Sequence, residues 1–136
     1  MDRPSFDQIY MDFACNLAKR STCSRLQVGC VIVTVDNHRV LSVGYNGGAK
    51  GVFNDCLSSE PGKCGHLHAE INSLIKFDYN DPARKKMYVT YNPCFACSVA
   101  IINADIDEVI YLNEYRDMSG VELLQKAHVN VRKFVG

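Results

Sequence analysis

The sequence has no surplus of either charge sign: 15 Lys and Arg stand against 15 Asp and Glu in 136 residues. A surface that grips a nucleic-acid backbone needs clustered cations in excess, so a nucleic-acid polymer is not an expected partner, while a pocket for one phosphate stays open. Long hydrophobic runs are missing as well. The longest apolar stretch, Val28 to Val35, falls far short of the roughly 20 residues that cross a bilayer, and Met1-Asp2-Arg3-Pro4 leads into no signal-peptide core. The expectation is a cytoplasmic protein with no membrane partner. Internal repeats, low-complexity tracts and Pro/Ser-rich linkers are absent, so residues 1–136 are expected to form one domain. An even cysteine count is lacking too: seven cysteines, at 15, 23, 30, 56, 64, 94 and 97, disfavour a closed disulfide framework and favour reduced thiols, some of them on metal.

What is present is ordinary for a globular chain, 47% hydrophobic and 22% charged, and a chain of this size buries roughly 68% of its unfolded surface. Ser5-x-x-Gln8 reads as a capping box, and Phe6, Ile9, Tyr10, Phe13 and Leu17 share one helical face, predicting a helix over 5–19. Val28–Val35 and Val40–Tyr45 are β-rich runs joined by the turn residues Asp36-Asn37-His38-Arg39, hence an antiparallel hairpin. A Gly-containing loop over 46–66 follows. Beyond it the pattern predicts a helix over 68–78, a strand Met87–Tyr91, a helix over 94–104 and a strand Val109–Leu112. Ser119-x-x-Glu122 then reads as a second capping box opening a helix to 127, and Val129–Phe134 as a last strand. Strand, helix, strand order from 87 onward implies parallel pairing through right-handed crossovers. The fold class is therefore α/β: a five-stranded mixed sheet, strand one beside strands two and three, last strands parallel, helices on both faces. Ligands in such sheets gather beyond the carboxyl ends of strands. Asn46, Asn92 and Tyr115 follow strand ends.

His68-Ala69-Glu70 opens one predicted helix and Pro93-Cys94-x-x-Cys97 the next. Spacing of three places both sulfurs on one helical face, and a helix start favours thiolate over thiol. One imidazole and two thiolates make a three-ligand Zn²⁺ set, whose free fourth position marks a catalytic site. Glu70, two residues from the histidine, is placed to take a proton from water there. A lone C-x-x-C is also compatible with a structural zinc knuckle, and a lone histidine with a surface or core residue. Together, His-x-Glu followed by Pro-Cys-x-x-Cys matches the zinc nucleobase deaminase signature.

With Gly44-Tyr45-Asn46-Gly47 and Met87-Tyr88-Val89-Thr90 added, these segments resemble the zinc-dependent cytidine deaminase superfamily, and within it the deoxycytidylate (dCMP) deaminases in their compact microbial or phage form. The resemblance covers nearly the whole chain and implies the three-layer α/β/α cytidine deaminase-like fold. By that resemblance His68, Cys94 and Cys97 hold Zn²⁺, and Glu70 shuttles protons while water attacks C4 of cytosine, giving dUMP and ammonia for thymidylate synthesis. It also places the 5′-phosphate on the segment 20–25, with Arg25 and Ser21 or Ser24 as contacts. Asn46 is implied to bond the sugar hydroxyl, Tyr115 to pack on the pyrimidine, and the Ala69 N–H to meet the base O2. Gly44, Tyr45, Asn46 and Gly47 are implied to frame an effector site that takes dCTP as activator and dTTP as inhibitor, with Mg²⁺ on the phosphates. A plain turn after a strand explains the same glycines. A homohexamer is the implied assembly. Cys23, Cys56, Cys64 and His66 form a possible second, structural metal set, and Cys15 and Cys30 are expected in the core. Two other readings remain: a nucleoside deaminase, which needs no phosphate pocket, and a zinc-stabilised binding module, which has no need of Glu70.

Overall fold

The computed structural model describes residues 2–23, 25–51 and 66–136. In chain order these form α1 (Phe6–Ala18), β1 (Gly29–Thr34), β2 (Val40–Tyr45), α2 (Ala69–Leu74), β3 (Lys85–Tyr91), α3 (Phe95–Asn103), β4 (Glu108–Asn113), α4 (Ser119–Lys126) and β5 (Asn130–Lys133). The strands make one sheet in the order β2-β1-β3-β4-β5. β1 runs antiparallel to both β2 and β3, while β3, β4 and β5 are parallel. Among the described residues no helix is long and apolar enough to cross a membrane.

Alternation along the strands builds two cores. Cys30, Ile32, Met87, Val89, Val109 and Tyr111 meet residues of α2, α3 and α4, including Ala69, Ile101 and Leu124. Val31, Val33, Tyr88 and Ile110 point to the opposite face and meet Tyr10, Met11 and Ala14 of α1. Both faces of β1 are thus covered, which is why its six residues are all buried and read as a continuous apolar run. The result is three layers, one helix on one face and three on the other.

The hairpin turns as expected, with Asn37 in the left-handed region at φ 69 and the Asp36 carboxylate accepting the His38 N–H. Ile32 faces Ser42 while Val33 faces Val40, so Leu41 is an extra residue that bulges β2.

Three local expectations are corrected. The expected stripe of α1 is only partly its buried face: Tyr10 and Leu17 pack on the core, but Phe6, Ile9 and Phe13 are exposed, and Met11, Ala14 and Ala18 are buried in their place. The cause is close approach, since a Cβ on Gly29 of β1 would lie 1.8 Å from the Ala14 carbonyl oxygen. Only the small-residue side of α1 fits there. α2 ends at Leu74 rather than near 78: the Lys76 N–H turns to the Ser73 carbonyl at 3.2 Å, a tightened last turn, and Asp78 then opens a separate turn by accepting the Asn80 N–H. Finally, Ser119 does not cap α4. It is the first helical residue, and its N–H is taken by the Asp117 carboxylate instead.

Candidate active site

The start of α2 is fixed by its seat on β2. Gly44 has no side chain because α2 crosses it, a Cβ there falling 2.6 Å from the Ala69 carbonyl and 2.7 Å from the Ser73 nitrogen. Ser42 Oγ donates to the Ser73 carbonyl at 2.6 Å, and Asn72 Nδ2 to the Tyr45 carbonyl at 2.9 Å. With α2 so held, His68 stands at its N-cap and Glu70 in its first turn, the latter only 5% exposed. On the neighbouring strand, β3 ends at Tyr91, and Cys94 caps α3 by accepting the Cys97 N–H on its sulfur at 3.4 Å. The two helix starts face one another across the sheet end.

His68 Nδ1 lies 3.2 Å from Cys97 Sγ and 3.6 Å from Cys94 Sγ. A tetrahedral zinc with N and S bonds of about 2.0 and 2.3 Å needs an N···S edge of about 3.5 Å, so the three side chains fit such an ion. All three donor atoms lie within 4.8 Å of one another, and no other group of three metal-binding side chains occurs among the described residues. The electrostatics suit a cation. Hydrogen bonding from Cys97, with help from His68, pulls the Cys94 thiol down to about 4, whereas Cys97, sharing its proton with Cys94 and buried beside Glu70, is pushed up. The Cys94 sulfur in turn raises the His68 imidazole above its usual range. Burial pushes the Glu70 carboxyl up to about 7, the range in which a carboxyl both takes and gives a proton at neutral pH.

The fold and the donor set have the form of a zinc deaminase core, and a family match decides its lineage: the model of the cytidine and deoxycytidylate deaminase zinc-binding region matches residues 4–113. The chain belongs to this family. The deoxycytidylate deaminase of Schizosaccharomyces pombe is 37% identical over 98% of this chain and 45% of its own, so this chain spans less than half the length of that relative. A deoxycytidylate deaminase from Mycobacterium phage D29 is 35% identical over 84% of this chain and 99% of its own. Among solved structures, the dCMP deaminase of cyanophage S-TIM5 in complex with dCMP and dUMP has a TM-score of 0.84 at 33% identity, covering 98% of this chain and 100% of that one. The cytidine deaminase-like fold is thereby shown.

A cavity of about 280 Å³ opens between the helix starts. It is lined by His68, Ala69, Glu70 and Cys94, together with Arg25, Asn46 and Tyr115. Ala69 is the first residue of α2, so its N–H has no partner within the helix. Arg25 is exposed and makes no ion pair among the described residues. Asn46 is 8% exposed, and its amide accepts from the Val28 N–H at 2.8 Å and donates to the Leu26 carbonyl at 2.7 Å. Among the described residues, one N–H and one lone pair of that amide remain for a ligand. Ser21 does not line the cavity, its hydroxyl accepting the Cys23 N–H at 3.2 Å, and Ser24 lies outside the described residues.

The remaining expected residues divide. Gly44 borders neither cavity, whereas Tyr45 and Gly47 border a second one of about 990 Å³ that also carries Arg20, Lys50 and Lys76. Cys23 and His66 are both buried and both line the first cavity, the two His66 ring nitrogens having no hydrogen-bond partner among the described residues. Cys56 and Cys64 lie outside the described residues. Cys30 is fully buried as expected, 3.2 Å from Ser73 Oγ, and Cys15 is half-buried on α1. Sequence reading gave no role to Leu26, Val28, Tyr91 or Asp117, which also line the cavity. For Tyr91 and Asp117 a signal existed, since each lies within a few residues of a strand end; the apolar pair carried none.

Proposed function

We propose that this chain hydrolyses dCMP to dUMP and ammonia. The observation that carries the reading is one cavity holding a zinc-type donor set, a buried carboxyl and an exposed guanidinium. Its support is the naming of relatives as deoxycytidylate deaminases and the S-TIM5 structure with dCMP and dUMP. His68, Cys94 and Cys97 would hold Zn²⁺, which supplies Lewis acidity at its open fourth position and so lowers the pKa of water there.

Glu70 carries the protons. It takes one from the attacking water and delivers it to N3 of the ring as the C4–O bond forms, then takes the remaining proton of the new C4 hydroxyl and passes it to the amino group as the C4–N bond breaks, leaving a C4 carbonyl and ammonia. Its raised pKa suits both directions of transfer, because neither protonation state is far from neutral pH. The Ala69 N–H meets the base O2 and the Asn46 amide a sugar hydroxyl. Tyr115 packs on the pyrimidine. Arg25 pairs with the 5′-phosphate, with Ser21 or Ser24 as its neighbours on the same segment.

Regulation is the second part of the proposal. The cationic rim of the larger cavity, Arg20, Lys50 and Lys76 beside Tyr45 and Gly47, suits a nucleoside triphosphate with Mg²⁺, dCTP activating and dTTP inhibiting within a hexamer. Buried His66, its ring nitrogens without a hydrogen-bond partner among the described residues, lies on the same cavity as Cys23 and supports a second structural metal completed by Cys56 and Cys64. The test is to offer purified protein dCMP, deoxycytidine and cytidine separately, with and without dCTP or dTTP at millimolar Mg²⁺, and to weigh the particle by sedimentation. Selective turnover of dCMP is expected, with saturation made less sigmoidal by dCTP. Equal use of deoxycytidine would reject the phosphate pocket, and no response to either triphosphate would reject the regulatory part alone.

A further inference from the structure

Asn92 follows the last residue of β3 and stands two residues before the donor Cys94. It is 5% exposed and lines the cavity. Its backbone N–H donates to the Asn113 carbonyl at 3.1 Å, continuing the β3–β4 ladder past the Tyr91–Asn113 pair. Its side chain then reaches where no strand pairing exists. Nδ2 donates to the Asp117 carbonyl at 3.1 Å, while Oδ1 accepts the Tyr115 N–H. One amide thus makes two backbone bonds to a segment that has already left the sheet.

Among the described residues that segment's other polar side-chain contacts are the Asp117 carboxylate accepting the Ser119 N–H at 2.9 Å and an exposed Glu114–Lys133 pair at 3.7 Å. Residues 114–117 are all exposed, and the Tyr115 ring meets the edge of Tyr91 at 6.5 Å and 86°. An amide is the side chain that offers a donor and an acceptor together at this length. Aspartate would keep the acceptor for Tyr115 and lose the donor for Asp117, and alanine would lose both. A buried amide whose two side-chain bonds among the described residues both go to loop backbone acts on function through what that backbone carries. Here it carries Tyr115 and Asp117, two residues of the cavity wall.

We infer that Asn92 is a positioning residue that sets recognition of the pyrimidine by pinning the Tyr115–Asp117 segment to the end of β3. The inference rests on the proposed role of Tyr115 at the base. Its test uses the full-length, zinc-loaded protein and the variants Asn92→Ala, Asn92→Asp, Tyr115→Ala and the Asn92→Ala/Tyr115→Ala double variant. Zinc content, kcat and KM for dCMP, and the Kd for dUMP by calorimetry are measured. Asn92→Ala is expected to keep its zinc, raise KM and the dUMP Kd about tenfold, and leave kcat within about twofold. Asn92→Asp should fall between it and the unmutated protein. The double variant should be no worse than Tyr115→Ala, because the lost pin acts through a ring that is no longer there. Losses that multiply in the double variant, or a loss confined to kcat with zinc depleted, would overturn the inference by assigning Asn92 to the Cys94 turn instead. If Asn92→Ala does not fold, the near-isosteric Asn92→Asp carries the same comparison against Tyr115→Ala. Failure of the unmutated protein to turn over dCMP rejects the deaminase reading and this inference together, whereas turnover with multiplying losses rejects only the inference.

Discussion

Glu70 sits buried beside three metal-type donors and hydrogen-bonds with Cys97, yet it is not one of the three side chains whose donor atoms cluster. Removing its carboxyl should therefore leave metal uptake intact: Glu70→Gln is expected to bind zinc as before and to lose about 10²–10⁴ in turnover. Cys94→Ala should lose the metal itself, as metal analysis of the two variants would reveal; zinc loss in the glutamine variant would mean that Glu70 is a ligand. Arg25 is a different kind of residue, exposed and without an ion partner among the described residues. Arg25→Ala should weaken use of dCMP about tenfold or more while barely changing residual use of deoxycytidine, since one charge-assisted phosphate contact is lost. Equal effects on both substrates would place the phosphate elsewhere. Residues with strong local chemistry, His68, Glu70, Cys94 and Cys97, were legible in the sequence because their spacing is itself the signal. Asn92 was legible only as a strand-end residue, since its importance lies in two bonds to backbone 23 and 25 positions away. Spacing does not report backbone partners.

Elements were read most accurately where a single face decides them and least where two layers compete. Of the stripe Phe6, Ile9, Tyr10, Phe13 and Leu17, only Tyr10 and Leu17 pack on the core, and Ala14 makes the close approach to the sheet; period identifies a helix, not which side fits against a strand bearing Gly29. Gly44 was read as part of an effector loop, and in the structure it seats α2. The contrast with Gly47, whose Cβ would meet nothing within 4 Å, gives a direct comparison. Gly44→Ala should cost about 1–3 kcal/mol of stability and depress activity by moving α2 with Glu70, whereas Gly47→Ala should unfold at nearly the same denaturant midpoint as the parent. Similar midpoints for both would show that α2 shifts freely. On the other face α1 is tied down by Asp7, which accepts from Tyr88 of β3 at 2.5 Å and from Arg132 of β5 at 2.8 Å. Burial acts to raise the Asp7 pKa, but those two bonds outweigh it and hold the carboxyl below its ordinary 3.8. A depressed folded pKa means a contribution present in full above the ordinary carboxylate range and lost as pH falls through the folded value. Asp7→Asn should be less stable by about 1–2 kcal/mol at neutral pH, and the gap should close below about pH 4. A gap independent of pH would show that packing, not charge, is what Asp7 supplies.

For the molecule as a whole, the mixed sheet settles the order in which its parts can come together. The hairpin β1–β2 is local, but β3 enters beside β1 by pairing Cys30 with Val89, and closing a loop of roughly sixty residues costs about 4 kcal/mol of chain entropy before any contact repays it. His68 precedes α2, which rests on the hairpin, while Cys94 and Cys97 follow β3. The donor set therefore exists only after β1 and β3 have joined. A metal that needs all three donors arrives too late to seed folding, and early enough to oppose its reversal. Stopped-flow refolding with zinc and with chelator should give folding rates within about twofold of each other, while unfolding slows about tenfold or more when zinc is bound. Faster refolding with zinc would mean that donors meet before the sheet does. The fold's central crossover would then make the ion a brake on loss of the native state, so that persistence in a cell short of zinc is a matter of lifetime, with the route into the fold unchanged.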